Sequence, residues 1–295
     1  MTTTPNLVSP VNPVPPIPRK GDSSIGGLLL ASGKITPENA ERVLRMQKEL
    51  GIRFGEAAQR LGLITEQDIQ QVLARQFDYP YLQEGETKFS NQLAAAFRPF
   101  SPQVETLRAV RSQLMLRWFA SGRKSLAIVG VNQGDGVSIF AANLAVVFSQ
   151  LGENTLLVDA NLRRPRQNEI FDLQARAGLS DILAGRAGTE AVARIDSFVS
   201  LSVLPAGTLP PNPQELLSRA SFGSLNATLE QNYDVVLYDV PAYATGADLL
   251  SIAARAGGVL LVARKNETLL TDINTMTEQL LQSGSKVVGS VLVEF

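Results

Sequence analysis

Short apolar runs alternate with amphipathic stretches along the second half of the chain. Runs of consecutive apolar residues are typical of strands covered on both faces, and the stretches between them have the period of helices. This alternation predicts an α/β fold with a doubly wound, mainly parallel sheet. The predicted strands cover residues 125–129, 155–158, 201–204, 235–238, 258–263 and 286–293, and the predicted helices cover 103–120, 138–151, 213–232 (as one helix or two), 246–256 and 269–283.

The first third of the chain contains an internal repeat. Residues 24–47 superimpose on residues 53–76 at a constant shift that places Gly26 on Gly55. Each copy predicts a short helix, a turn that contains glycine, and a second helix capped by threonine. The repeat therefore predicts a small helical domain over residues 23–82.

The segments around this domain are predicted from their composition. Residues 1–22 are rich in proline, threonine and serine and lack periodicity, which predicts a disordered tail. Residues 83–100 are polar and then bounded by proline, which predicts a linker to a large domain over residues 101–295. No apolar run reaches the roughly 18 residues of a membrane span, and no signal peptide is recognisable. We therefore expect a cytoplasmic protein.

The amino-acid composition restricts the chemistry. The chain has no cysteine and no histidine, and its net charge is −1. Disulfides, thiolate catalysis and imidazole metal ligands are excluded. A metal must be held by oxygen atoms, for which Mg²⁺ is the natural candidate. The near-zero charge gives no electrostatic reason to expect a nucleic acid polymer as partner.

A glycine-rich turn follows the first predicted strand of the large domain. The strand at 125–129 runs into residues 130–138, and a long helix begins at once. In this arrangement backbone N–H groups and the helix dipole bind phosphates. Gly134 and Gly136 allow the main chain to approach an anion closely, and Ser138 stands where a P-loop serine binds Mg²⁺. The turn predicts a phosphate site, with an ordinary strand–helix connection as the alternative.

This turn departs twice from the P-loop pattern GxxxxGK[ST]. Val131 stands at the first glycine, although Gly130 precedes it, and Val137 stands at the lysine. In P-loop enzymes that lysine carries the positive charge that meets the β- and γ-phosphates. Because valine is uncharged, the turn fits phosphate binding better than phosphoryl transfer.

Two predicted strands end in an aspartate. Asp159 follows the strand at 155–158, and Asp239 follows the strand at 235–238. In doubly wound sheets ligands bind beyond the carboxyl ends of the strands, so both carboxylates should converge on the glycine-rich turn. A lone aspartate at a strand end is more often a cap for a turn or helix. Three aligned strand ends instead favour a metal site formed by Asp159, Asp239 and Ser138.

These segments, in this order, resemble the bacterial tyrosine autokinases of exopolysaccharide export, in particular EpsG-type members, which are themselves similar to Min-type P-loop ATPases. The resemblance covers residues 99–295 and is also carried by residues 141–145, 156–165, 204–217 and 239–241. It implies ATP or ADP bound with Mg²⁺, a homo-oligomer, and a membrane partner, the polysaccharide chain-length determinant of the inner membrane. It implies Asp159 and Asp239 as catalytic residues, and the nucleotide-binding residues Gly130, Gln133, Gly134, Asp135, Gly136, Val137, Ser138, Ile139, Asn161 and Arg163.

The predicted helix at 103–120 fits the ExxRxxR motif of this family with Glu105, Arg108 and Arg111. In the family that helix packs between the subunits of a ring. The spacing places the three side chains on one helix face. An exposed local salt-bridge face is the alternative interpretation.

Several positions differ from the family pattern. Val137 replaces the P-loop lysine, and Asn161 replaces the second acid of the middle motif. The family's kinases carry a C-terminal tyrosine cluster, whereas no tyrosine follows Tyr243 here. We therefore expect tyrosine kinase activity to be absent or very weak. Arg163, Arg164 or a basic residue of a neighbouring subunit are candidates for the missing charge.

The repeated domain resembles the N-terminal domain of type II secretion and pilus-assembly ATPases (MshEN-like), some of which bind cyclic di-GMP through two such repeats. That pattern has Arg-Leu-Gly at the start of each repeat. The second repeat here begins Arg53-Phe54-Gly55, while the first begins Ser24-Ile25-Gly26 and lacks the basic residue. The alternative is a plain protein-docking domain whose glycines serve tight helix packing. The resemblance implies as candidate ligand residues Gly26, Gly27, Leu29, Leu30, Gly33, Ile35, Gln47, Arg53, Gly55, Gly62, Leu63, Ile64 and Gln76.

Three functions remain open from the sequence. The first is a nucleotide-binding regulator of exopolysaccharide synthesis that docks on a membrane partner. The second is an active autokinase or ATPase of the same system. The third is a scaffold that responds to cyclic di-GMP and has a non-functional P-loop.

Overall fold

The computed structural model describes residues 24–76, 82 and 87–294, and the predicted tail at 1–22 lies outside them. The chain divides into two compact units, Met1–Tyr79 and Pro80–Phe295. Among the described residues, no helix combines the length and the apolar character that crossing a bilayer requires.

The first unit contains two helix–turn–helix pairs, one in each sequence repeat. Thr36 caps its helix by accepting a hydrogen bond from the Asn39 N–H (3.2 Å), and Thr65 does the same with Asp68 (3.2 Å). These caps satisfy N–H groups that a helix start leaves unpaired. The helices are α1 (Ile25–Ala31), α2 (Pro37–Leu50), α3 (Phe54–Arg60) and α4 (Glu66–Gln76).

The two repeats are held together by a small core and an ion pair. The core is formed by buried aliphatic residues such as Leu29, Val43 and Ala57. Lys34 in the turn of the first repeat pairs with Asp68 of the second at 2.7 Å. Burial raises the pKa of Asp68, but Lys34 and the Thr65 N–H and hydroxyl lower it further, to about 2.

The second unit is a seven-stranded sheet covered by helices. Its strands are β1 (Ser125–Gly130), β2 (Thr155–Asp159), β3 (Ala193–Arg194), β4 (Leu201–Leu204), β5 (Val235–Asp239), β6 (Gly258–Arg264) and β7 (Lys286–Val293). Its helices are α5 (Ala94–Phe97), α6 (Pro102–Arg117), α7 (Val137–Gln150), α8 (Gln167–Ile170), α9 (Leu179–Leu183), α10 (Pro213–Leu217), α11 (Ala220–Asn232), α12 (Asp248–Ala256) and α13 (Leu270–Gln282). Short 3-10 turns lie at Phe119–Ser121, Thr189–Ala191 and Tyr243–Thr245.

The strand order is β3-β4-β2-β5-β1-β6-β7. Strand β3 pairs antiparallel with β4, and the other neighbouring strands are parallel. One apolar cluster covers each face of the sheet, which explains why the strands have continuous apolar runs. The predicted α/β class and mainly parallel sheet are confirmed.

Some elements differ from the prediction. The segment predicted at 213–232 is two helices, α10 and α11. The short elements α8, α9 and β3 have no counterpart among the predicted elements. Each has at most five residues, which is too short for a periodic pattern to emerge.

The segment predicted as a linker over residues 83–100 is partly buried. Leu93 and the three following alanines are at most 1% exposed. The side-chain amide of Asn143 in α7 accepts a hydrogen bond from the Ala95 N–H (2.9 Å) and donates one to the Gln92 carbonyl (3.0 Å). Gln150, also in α7, donates to the Ala95 carbonyl (2.9 Å). This part of the segment therefore belongs to the folded second unit.

Candidate functional site

The carboxyl ends of three central strands lie side by side in the second unit. Strand β5 pairs with β1 on one side and with β2 on the other. Asp159 and Asp239 are direct partners in the β2–β5 register. Because β1 continues into residues 130–138, the two aspartates and the glycine-rich turn occupy one edge of the sheet, as expected for a doubly wound fold.

The glycine-rich turn has the backbone conformation that its glycines permit. Gly134 has a φ of 97° and Gly136 a φ of 78°, a region that side-chain-bearing residues rarely adopt. The Asp135 carboxylate accepts hydrogen bonds from the Asn132 N–H (2.8 Å) and from the Thr268 hydroxyl (3.3 Å). Asp135 is thus a structural residue of the turn, while Gln133 and Gly134 form its exposed rim.

Val137 points into the protein at the position of the P-loop lysine. A Cβ atom added to Gly130 would lie 2.8 Å from a methyl group of Val137, so Gly130 is needed for this close packing. Val137 is 8% exposed and belongs to an apolar cluster. The turn accordingly presents backbone N–H groups and the half-buried Ser138, and no lysine at this position.

Asp159 is fully hydrogen-bonded within the protein. Its Oδ2 accepts bonds from the backbone N–H groups of Arg166 and Gln167, each at 2.9 Å. Its Oδ1 accepts one from the Asn161 N–H (3.3 Å). Burial and the charge of Asp239 raise the pKa of Asp159, and the three N–H groups oppose that rise. Asp159 therefore organises the connection between β2 and α8.

The two carboxylate oxygens of Asp239 differ in their hydrogen bonding. Oδ2 accepts a hydrogen bond from the Gln167 side-chain amide (2.8 Å), whereas Oδ1 is buried and has no hydrogen-bond partner among the residues that the structure describes. Burial raises the pKa of Asp239 to about 6, although the Gln167 amide, the nearby Ser138 hydroxyl and the charge of Arg166 lower it. A buried polar atom without a partner is costly, which marks Asp239 Oδ1 as a place where a cation would be held.

The oxygen donors present at this edge fit Mg²⁺. The described part of the chain contains no group of three acidic or other ligating side chains that could enclose a metal. Mg²⁺ in nucleotide sites commonly uses only one or two carboxylates and takes its other ligands from phosphates and water. Asp239 and the Ser138 hydroxyl supply such a partial set, and Asp159 lies beside them with both oxygens bonded to backbone N–H groups.

Gln167 is a site residue that the sequence patterns did not reveal. It is completely buried, and its amide nitrogen donates to both Asp239 and the Ser138 carbonyl (3.1 Å). Its Oε1 is buried and finds no hydrogen-bond partner in the described part of the chain. Gln167 therefore joins the start of α7 to the acidic pair. No motif identifies a glutamine eight positions after Asp159. The only available signal in the sequence was that Gln167 follows soon after a strand that ends in an aspartate.

Two residues predicted to bind nucleotide have partners within the chain. Arg163 forms a two-pronged ion pair with the buried Asp248, at 2.6 and 3.0 Å, and this pair raises the pKa of Arg163. The Asn161 side-chain oxygen accepts a bond from the Arg164 N–H (3.0 Å). In this structure both side chains shape the β2–α8 connection.

Comparison with known proteins places this site in a family. Residues 123–274 match the family model described as cellulose biosynthesis protein BcsQ. The putative tyrosine-protein kinase CapB of Staphylococcus aureus is 32% identical over 195 residues, which is 66% of this chain and 86% of CapB. The tyrosine-protein kinase wzc of Salmonella typhimurium is 33% identical over 202 residues, 68% of this chain but only 28% of wzc. The chain belongs to the bacterial tyrosine-protein kinase family.

Solved structures agree with this membership. The kinase domain of the Escherichia coli tyrosine kinase ETK superimposes with a TM-score of 0.67 at 28% identity, over 73% of this chain and 84% of that one. The septum site-determining protein MinD of Pyrococcus horikoshii, complexed with Mg-ADP, gives 0.51 at 25% identity, over 58% and 70% of the two chains. The resemblance to tyrosine kinases and to Min-type ATPases is confirmed at this level.

The ExxRxxR residues of this kinase-family chain lie on α6. Glu105 and Arg108 form an ion pair, and Glu105 remains 64% exposed. Arg111 instead donates to the Val147 carbonyl of α7 (2.6 Å). Their role between subunits stays a prediction.

One tyrosine of the second unit is unsuited to phosphorylation. Tyr238 is completely buried, and its hydroxyl donates to Asn226 (2.6 Å). Burial raises its pKa far above the usual value. Tyr233 and Tyr243 are half-buried, while Tyr79 and Tyr81 lie outside the described residues.

The candidate ligand residues of the first unit include both glycines at the repeat starts. A Cβ added to Gly26 would lie 3.2 Å from the Phe54 ring, and one added to Gly55 would lie 3.0 Å from Ile69. These two glycines therefore permit close helix packing. Of the other candidates, Leu29, Ile35 and Ile64 are buried, Gly27, Gln47 and Leu63 are half-buried, Leu30, Gly33, Arg53 and Gly62 are exposed, and the side chain of Gln76 lies outside the described part.

Proposed function

We propose that this chain is a degenerate member of its kinase family that binds ATP or ADP with Mg²⁺ and regulates exopolysaccharide synthesis or export. The observation that carries the proposal is the unpaired, buried Oδ1 of Asp239, placed beside Ser138 at the end of the glycine-rich turn. When bound, Mg²⁺ would supply positive charge to the phosphates. The MinD relative complexed with Mg-ADP supports the choice of ligand.

The residues at this edge of the sheet have separate roles in the proposed site. The backbone N–H groups of residues 134–138 bind phosphate oxygens. Ser138 and Asp239 hold the cation, and Gln167 holds Asp239 in place through its amide. Asp159 fixes the β2–α8 connection against this edge.

The reason to propose regulation instead of phosphoryl transfer lies at three positions. The inward-facing Val137 removes the lysine charge that stabilises transferring phosphate. Asn161 has no carboxylate, and its oxygen bonds to the Arg164 N–H. Tyr238 is buried. The bound nucleotide would then control how this chain docks on a membrane partner, and it would not be a substrate for phosphoryl transfer.

The proposed setting is the cytoplasmic face of the inner membrane, where a chain-length determinant protein recruits this chain. The BcsQ family's description and a relative named from a cps region of Klebsiella pneumoniae support a role in polysaccharide production. Subunits would associate through Glu105, Arg108 and Arg111 on α6.

Calorimetric titration with Mg·ATP and Mg·ADP tests the nucleotide site. Asp239→Ala should weaken binding about tenfold or more because it removes a metal ligand. Asp196→Ala, which removes an exposed carboxylate, is the matched control and should bind like the wild type. Absence of saturable binding by the wild-type protein would contradict the proposal.

An active autokinase or ATPase is the second candidate, supported by the family itself. It predicts phosphotyrosine or released phosphate after incubation with Mg·ATP, and loss of that product in Asp239→Ala. Nucleotide binding without either product favours the regulator.

A cyclic di-GMP-responsive scaffold is the third candidate. Arg53 supports it, because this residue is exposed at the start of α3 and a guanidinium there is available for a phosphate. Titration of the whole chain with cyclic di-GMP, with Arg53→Ala alongside, tests it. No heat and no shift in melting temperature would leave docking as the role of the first unit.

A further inference from the structure

The proposed nucleotide site has Val137 at the position of the P-loop lysine, so a positive charge on the phosphates would have to come from another residue. Arg163 is bound to the buried Asp248 by two short contacts, which keeps it away from a ligand. Arg164 is exposed, and its backbone N–H faces Asn161. The next basic residue along this connection is Arg166.

Arg166 is held at the acidic pair by its backbone. Its N–H donates to Asp159 Oδ2 (2.9 Å). The following residue, Gln167, donates to Asp239 and to the carbonyl of Ser138. The start of the Arg166 side chain is therefore fixed beside both aspartates and the first turn of α7. Its guanidinium lies close enough for its charge to act on Asp239.

The guanidinium group is only weakly engaged within the chain. It pairs with Glu169 three positions later, at 3.3 Å, and the two side chains are 42% and 73% exposed. Exposed ion pairs of this kind contribute little because water screens them. A phosphate offers charge-assisted, two-pronged hydrogen bonds to the same group. Arg166 can leave Glu169 for such a ligand at small cost.

We propose that Arg166 binds the terminal phosphate of a nucleoside triphosphate in this site and takes the place of the P-loop lysine. The inference rests on the proposed nucleotide binding and goes beyond it, because it predicts a preference for ATP over ADP. Arg166 is a binding residue in this account, and no bond is made or broken through it.

Calorimetry on the full chain with Mg·ATP and Mg·ADP tests the inference. Arg166→Ala should weaken ATP binding by about tenfold and ADP binding by less than about threefold, so that the ATP/ADP affinity ratio falls. Arg166→Lys should retain part of the ratio, since it keeps the positive charge but loses the two-pronged hydrogen bonds of the guanidinium. Arg164→Ala tests the neighbouring exposed arginine as the alternative cation. Arg176→Ala removes another exposed arginine and is the control, expected to leave both affinities unchanged.

The outcomes distinguish failure of the Arg166 assignment from failure of the proposed nucleotide binding. If the wild type binds both nucleotides and Arg166→Ala leaves their ratio unchanged, Arg166 is not a phosphate ligand. If Arg164→Ala lowers the ratio instead, the cation has been misassigned. If the wild type binds neither nucleotide, the proposed function fails and this inference with it. Melting temperatures of the variants, expected to match the wild type, show that each is folded.

Discussion

Asp159 and Asp239 lie directly opposite each other on adjacent parallel strands, yet they have different hydrogen-bond environments. Asp159 accepts three backbone N–H bonds, whereas one buried oxygen of Asp239 has no hydrogen-bond partner within residues 24–76, 82 and 87–294. Two carboxylates in one buried place raise each other's pKa unless a cation or donors compensate. Among the described residues, the Gln167 amide, the Ser138 hydroxyl and the charge of Arg166 stabilise the Asp239 carboxylate.

Mg·nucleotide affinity should therefore depend on pH through Asp239. The carboxylate form binds Mg²⁺, and the pKa of Asp239 is raised to about 6 in the nucleotide-free protein. Below this pKa the bound proton competes with the metal, so the affinity for Mg·ADP should fall about tenfold for each pH unit. Calorimetry across this range measures it, and a flat profile in the wild type would exclude Asp239 as the metal ligand.

The same raised pKa predicts that Asp239→Asn stabilises the nucleotide-free protein at neutral pH. A carboxyl group whose pKa is higher in the folded state binds protons more readily there, so it destabilises the fold at pH values above that pKa. We expect Asp239→Asn to raise the melting temperature by a few degrees at neutral pH and by much less at a pH near 4. Asp196→Asn is the control, and equal melting curves for Asp239→Asn and wild type at neutral pH would contradict the prediction.

Val137→Lys should restore a charge to the glycine-rich turn. The variant replaces a methyl group packed against Gly130, so we expect a loss of about 1–2 kcal/mol in unfolding free energy. ATP affinity should nevertheless rise by about tenfold through a charge-assisted phosphate contact. Val137→Met has a long side chain without charge and serves as the comparison. A similar gain with methionine would assign the effect to shape and not to charge.

Asp181 should stabilise the second unit through its carboxylate. It accepts hydrogen bonds from the N–H groups of Gly178 (3.1 Å) and Thr208 (3.0 Å) and pairs with Arg186 (2.8 Å). Burial raises its pKa, but these partners lower it further, to about 2. A lowered pKa gives stability that is present above the unfolded-state value and is lost as pH falls through the folded one.

We therefore expect Asp181→Ala to reduce the unfolding free energy by about 1–3 kcal/mol at neutral pH. The deficit should shrink toward zero as pH falls from about 4 to 2. Urea unfolding at several pH values measures this. A deficit that is independent of pH would mean that Asp181 acts through its packing alone.

Gly55 and Ile69 should be energetically coupled in the first unit. A Cβ at Gly55 would lie 3.0 Å from the Cδ1 of Ile69, so Gly55→Ala should destabilise this unit by about 1 kcal/mol. Ile69→Val removes that methyl group, and the double variant should lose less than the sum of the two single losses. A double-mutant cycle measured by thermal unfolding tests this. If the two losses in unfolding free energy add, Gly55 is not required for packing against Ile69.

Local patterns in the sequence were sufficient for the class of fold and for the location of the site. Continuous apolar runs identify strands buried on both faces, and Asp159 and Asp239 mark strands whose ends must meet at one edge of a parallel sheet. Gly134 and Gly136 likewise mark the turn, because glycine can adopt a positive φ that other residues rarely adopt. Periodicity and strand ends are short-range features, so a single chain displays them directly.

Long-range contacts settled what the side chains at that edge do. Gln167 reaches Asp239 across 72 positions of sequence, and Asn143 reaches Ala95 across 48, which makes part of an apparent linker into core. Arg163 pairs with Asp248, and Val137 packs against Gly130. One oxygen of Asp239 has no hydrogen-bond partner among the described residues. These contacts depend on which side chains lie next to each other in the folded chain. The composition of one segment carries no information about the side chains that other segments place beside it.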